Sequence, residues 1–128
     1  MAWRPFMAEY TIDDPKADIK AGERIEQYKL GEKAVYFPRE NYLPYEAIKA
    51  IWIQPHQLNV IGCCGKGLPV SMVRLDTGTK DVANLMVEKK TNARKMVEMI
   101  LAKNPSIEYV EYERGYQPIA YRQEAANA

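Results

Sequence analysis

Between Lys33 and Glu88 the chain is cut by proline and glycine into short β-rich runs, and only afterwards does one long stretch of helical periodicity begin. In Asn92 to Lys103 the apolar residues Ala93, Met96, Val97, Ile100 and Leu101 fall at i, i+3, i+4, i+7 and i+8, one stripe that needs a surface to cover it. Thr91 is the expected cap of this helix and Asn104-Pro105 its stop. Several strands in hairpin order followed by one amphipathic helix predict an α+β chain, mainly β, built as a small antiparallel barrel or sandwich closed by that helix.

The runs read as follows. Lys33 to Phe37 is a strand ended by Pro38, and Pro38 to Tyr42 is a loop. Leu43 to Ile53 divides into a turn at Tyr45 to Ala47 and a strand from Ile48 to Ile53 that Pro55 ends. Leu58 to Cys64 and Leu68 to Leu75 are strands joined by a Gly65-Lys66-Gly67 hairpin, where glycine supplies positive φ. Asp76 to Thr79 turns into a partner strand over Asp81 to Glu88, and Ile107 to Tyr112 reads as one more strand. Ahead of them Asp14 to Gln27 reads as a short helix, capped by Asp14, opened by Pro15 and broken near Gly22.

A length of 128 residues suits one domain with one core. Residues 30–103 carry the barrel-and-helix pattern, residues 1–29 form an N-terminal arm and helix, and residues 104–128 a C-terminal extension. The formal net charge of +1 argues against nucleic-acid binding driven by phosphate neutralisation. Met1 to Tyr10 lacks the continuous apolar region of a secretory signal, and no stretch is long and apolar enough for a membrane helix. The expectation is a soluble, cytoplasmic protein. Cys63 and Cys64 are adjacent, so on a strand they diverge and do not pair with each other; reduced thiols fit.

The motifs that carry chemistry are sparse. Gly62-Cys63-Cys64-Gly65-Lys66-Gly67 lacks the spacing and the hydroxyl of a Walker-type phosphate loop, and it opens a strand where a KH-type loop joins helices. Cys63, Cys64 and the sole histidine, His56 in an expected turn, are too few and too divergent for zinc. The acidic pairs Asp13/Asp14 and Glu111/Glu113 read as solvated charge. No catalytic set, cofactor site or metal site is assembled. A reactive thiol at Cys63 or Cys64 stays open as an alternative, which would need a base or positive field beside it.

The run Leu43-Pro44-Tyr45-Glu46-Ala47-Ile48-Lys49-Ala50-Ile51 resembles the (I/L)-P-Y-x-x-I-x-x-I segment of the bacterial pleckstrin-homology-like (PH-like) domains. The hairpin around Asp76 to Thr79, the strand Val82 to Val87 and the helix Thr91 to Ala102 are similar to that family's turn, closing strand and C-terminal helix. The resemblance implies a curved antiparallel sheet of about seven strands, a barrel or sandwich, plugged by the helix, with a binding role and no catalytic residues. Headgroup-binding pleckstrin-homology domains use a basic cluster at the open end of the barrel. Here Pro38-Arg39-Glu40-Asn41-Tyr42 sets one arginine against one glutamate, which argues against membrane binding.

Two groups of residues are therefore candidates for function. Cys64, Lys66 and Arg74 are candidate binding residues for a small ligand or membrane surface at the barrel's open end. Trp3, Phe6 and Tyr10, with Tyr112, Tyr116 and Tyr121, place large rings in both terminal extensions, where polar residues are the rule. They either pack back on their own barrel or form an interface with a protein partner or a second copy. A non-enzymatic interaction domain is the leading expectation, with ligand binding and thiol chemistry behind it.

Overall fold

The computed structural model describes residues 3–58 and 68–126, in the element order β1 (Arg4–Pro5), α1 (Pro15–Ala21), β2 (Glu23–Ile25), β3 (Tyr28–Leu30), β4 (Ala34–Phe37), β5 (Asn41–Pro44), a 3-10 turn (Tyr45–Ala47), β6 (Ala50–Leu58), β7 (Leu68–Asp76), β8 (Val82–Val87), α2 (Lys90–Lys103), β9 (Glu108–Tyr109) and α3 (Ile119–Ala126). The strands form two mixed sheets, one ordered β1-β5-β4-β3-β2 and the other β8-β7-β6-β9. All pairings are antiparallel except β1 with β5 and β6 with β9. The α+β, mainly β expectation holds. Of the expected antiparallel barrel or sandwich, no closed barrel forms among the described residues: the strands make two separate sheets, and β8 ends its sheet without a strand beyond it.

The principal core lies between the sheets. Leu30, Val35 and Leu43 from the five-stranded sheet meet Ile51, Val73, Leu75 and Leu85 from the other, and Met96 and Ile100 of α2 cover the end. Alternation along β6 and β7 sends Ile51, Val73 and Leu75 inward, while Trp52 opposite Arg74 and Gln54 opposite Met72 face out. The predicted α2 stripe is the face that packs, with Ala93, Met96, Val97 and Ile100 buried and Leu101 partly so.

Strand β4 reads as a continuous apolar run because both of its faces are covered. Val35 faces the principal core, whereas Ala34 and Tyr36 join Tyr42 in a second cluster sealed by Trp3, Ile12 and Ile19. Asp14 caps α1 as expected, its carboxylate accepting from Ala17 N at 3.2 Å, and the helix stops at Gly22. A Cβ on Gly22 would stand 2.7 Å from the Leu30 carbonyl oxygen, so the helix end and β3 approach closely only because that atom is missing.

Several local expectations are corrected. Pro55 does not end β6, which runs to Leu58 opposite Leu68. The Ile51 carbonyl accepts from Val110 N at 3.0 Å on the β9 side, so by alternation the missing N–H of Pro55 also faces away from β7 and costs no ladder bond. His56, expected in a turn, is an exposed strand residue opposite Val70. Strand β7 pairs with β6 along its length; apart from Leu58, the strand expected at Leu58 to Cys64 lies outside the described residues, as does the Gly65-Lys66-Gly67 hairpin. The helix read over Asp14 to Gln27 ends at Ala21, and Asn41 and Tyr42 belong to β5 instead of a loop. Thr91 does not cap α2. The helix begins at Lys90 with no side-chain cap on its first-turn amides, and just ahead of it the Glu26 carboxylate accepts from Glu88 N at 2.8 Å and Lys89 N at 3.2 Å.

Candidate interaction surface

The aromatic residues of the N-terminal arm pack on the arm's own chain. Arg4 and Pro5 pair with Asn41 and Tyr42. That pairing lays Trp3 edge-on to Tyr36 at 5.4 Å and Phe6 edge-on to Phe37 at 6.3 Å, the arrangement that ring quadrupoles favour. Tyr10 is half-buried against the principal core. The C-terminal segment does the same for the outer face of the smaller sheet. Tyr116 stands edge-on to Trp52 with ring centroids 4.8 Å apart, and Trp52 is 1% exposed beneath it. Buried Asp76 holds the start of α3, its carboxylate accepting from Ile119 N at 2.8 Å and from Gly78 N at 2.8 Å.

Arg74 belongs to this outer face. Its guanidinium lies 5.4 Å from the Trp52 ring centroid, donates to Asn84 Oδ1 at 2.7 Å and reaches Gln54 Oε1 at 3.4 Å. A cation over an indole face in this way is drawn to the ring's negative side. Across the tail Arg122 covers Tyr116 at 5.2 Å and donates to its hydroxyl at 3.2 Å. Burial, with nearby Asp76 and Glu108, pushes the Tyr116 hydroxyl pKa up against the opposing pull of Arg122. Tyr112 is half-buried, and Tyr121, at 41% exposed, is a ring the tail leaves in solvent. Cys64 and Lys66, the other two candidate binding residues, lie outside the described residues.

A buried polar clasp supports the opposite side. Asp18 on α1 accepts from Glu32 N at 2.8 Å, from Lys33 N at 3.2 Å and from the Tyr36 hydroxyl at 2.6 Å, so both carboxylate oxygens are engaged. The Tyr45 hydroxyl donates to Gly31 O at 2.7 Å in the same turn. Burial first, and then Asp18, pushes the Tyr36 hydroxyl pKa well above the ordinary tyrosine value, and Tyr45 moves the same way for the same reasons. With all its groups mutually satisfied, this cluster holds α1 to the β3–β4 turn and offers nothing to a ligand.

The feature left open is the edge at β8. The Met86 carbonyl accepts from the Tyr28 hydroxyl at 3.0 Å and the Glu88 amide donates to Glu26, so both face away from β7. By alternation the backbone N–H and C=O of Val82 and Asn84 face the same way, and they have no partner among the described residues. Beside them lies a cleft of about 400 Å³ between the sheets, walled by Phe6, Tyr28, Phe37, Pro38 and Arg39. Here the two sheets stay unjoined.

Among the described residues the other edges are blunted. β1 has two residues, one of them Pro5, β2 has three, and β9 has two. Beyond β9 the exposed side of β6 carries Pro55, and beyond the end of β8 the side of β7 carries Pro69. Short strands and prolines are the usual means by which a protein keeps a sheet edge from recruiting another chain. β8 has six residues and neither device at Val82 to Asn84. Individual residue types carry no sign of this edge: Val82 to Val87 is legible as a strand, but not that its outer side lacks a neighbour.

Across family models, curated proteins and solved structures, no match to this chain is found.

Proposed function

We propose that this chain is a non-enzymatic interaction domain of PH-like architecture that works through protein–protein contact, self-association included. The antiparallel strands β2 to β8 followed by α2 are compatible with the seven or so strands and the closing helix that the resemblance implies. The observation that carries the functional reading is the unprotected edge of β8 beside a cleft that mixes aromatic and polar side chains, in a molecule whose other described edges are blunted. Most of the terminal rings serve their own body, so the interface moves from the tails to the edge.

The test has two arms on the full chain. Light scattering up to high micromolar concentration reads self-association, and selection from a displayed library of short random peptides reads recognition of foreign chains. Dimer formation or enrichment of a peptide class supports the reading. A monomer that enriches no peptide overturns it.

A further inference from the structure

We propose that the β8 edge takes one extended segment of another protein, paired to Val82 and Asn84, with an apolar side chain in the cleft and a carboxylate at Arg39; this rests on the interaction reading above. Each element of the ligand follows from a group already described. Two outward residues present two N–H and two C=O groups in strand geometry, and the partner that satisfies all four is an extended backbone. On such a strand alternate side chains point to opposite faces, so the one on the core side enters the space between Phe6, Phe37 and Pro38. Aromatic walls and a proline favour an aliphatic or aromatic anchor there.

The charge comes from the turn between β4 and β5. Arg39 is the one charged residue lining the cleft, and it has no ionic partner among the described residues. Its backbone has φ of 71° and that of Glu40 65°, the left-handed region, occupied here by two consecutive residues with side chains. Such a turn is costly for L-residues, and glycine would relieve it. The chain keeps an arginine at this strained place, at the mouth of an otherwise uncharged cleft. A carboxylate on the incoming segment is the complementary group.

The pairing stops short of Met86. The Tyr28 hydroxyl occupies its carbonyl and Glu26 occupies the Glu88 amide, so the second half of the edge is closed by side chains from the β2–β3 region. The docked segment is therefore short, with backbone contact limited to Val82 and Asn84, and its affinity depends on the anchor and the carboxylate.

The experiment is selection of displayed random peptides on the full chain and on two full-length variants, Asn84→Pro and Arg39→Glu. Proline at position 84 removes an outward N–H and leaves the β7–β8 ladder intact, as Pro55 does in β6, and an unchanged thermal transition verifies the fold. The expected result is enrichment of sequences with an apolar residue followed or preceded closely by Asp or Glu. On Asn84→Pro their binding falls by about tenfold or more, and on Arg39→Glu the acidic preference disappears or turns basic. Peptides that enrich on the chain but ignore both variants overturn this site while leaving the interaction reading standing. A chain that enriches none, and stays monomeric, overturns both. A dimer abolished by Asn84→Pro, with no peptide selected, means that the edge pairs with a second copy and overturns the foreign-segment proposal.

Discussion

Glu26 and Glu88 stand 62 positions apart in sequence, yet the Glu26 carboxylate accepts the Glu88 amide at 2.8 Å. The same carboxylate takes Lys89 N and, at 3.0 Å, the Asn92 side-chain amide, so one residue of the β2–β3 turn ties the end of β8 to the first turn of α2. It links the two sheets at the point where the open edge ends.

Glu26→Ala removes these three hydrogen bonds to one carboxylate and costs about 1–3 kcal/mol, measured by urea unfolding. Partial burial raises the Glu26 pKa, but the Glu88, Asn92 and Lys89 hydrogen bonds outweigh it and leave the group below its ordinary value. A depressed carboxylate contributes stability that is present above its unfolded pKa and lost as pH falls through the folded one. The stability difference between the wild type and Glu26→Gln therefore narrows below about pH 4.5.

Tyr36→Phe deletes the hydroxyl that Asp18 accepts and leaves a buried oxygen short of one donor, at a cost of about 1–3 kcal/mol. Gly31→Ala attacks the same clasp sterically. An added Cβ meets the Asp18 carboxylate and stands 2.9 Å from its backbone oxygen. Overpacking of this kind costs about 1–3 kcal/mol. Chemical denaturation of each variant, and of the double variant, reads both values and shows non-additivity because the two changes share Asp18.

The raised pKa values of Tyr28, Tyr36 and Tyr45 set the alkaline limit. Burial holds all three neutral in the folded chain, so their contribution is complete below the unfolded tyrosine pKa of about 10 and is lost as pH rises beyond it. The urea midpoint is expected to stay flat with respect to these groups at neutral pH and to fall above about pH 10. Tyr36→Phe makes that fall shallower.

Tyr116→Ala uncovers Trp52. The loss of an edge-on aromatic pair is worth about 0.5–1.5 kcal/mol beyond the area exposed. The direct readout is tryptophan emission, which shifts to longer wavelength as water reaches Trp52, whereas Tyr121→Ala leaves the emission unchanged because that ring is already in solvent.

Much of this molecule is legible from local pattern. The α2 stripe, the Asp14 cap and the strand at Val82 to Val87 each follow from spacing over a few residues, and each stands where the spacing places it. β2 and β3 are three residues long in a charged stretch and β5 is four residues ending in proline, all too short for alternation to separate them from turns. Pro55 misleads because proline ends a strand only where its N–H is needed, and that depends on which side the neighbour lies. Charge alone singles out Arg74, but its place over Trp52 depends on the β6–β7 register. The open edge is the least legible of all, since it is defined by a neighbour that the tertiary fold does not supply.

Whether the outer side of β8 is open can be read by amide hydrogen exchange along that strand, followed by NMR on the dilute full chain. Alternation is expected, with Ala83, Leu85 and Val87 protected by their bonds to β7 and Val82 and Asn84 exchanging rapidly into solvent. Uniform slow exchange from Val82 to Val87 would mean that the outer side of β8 is already paired, and the interaction surface would have to be sought elsewhere.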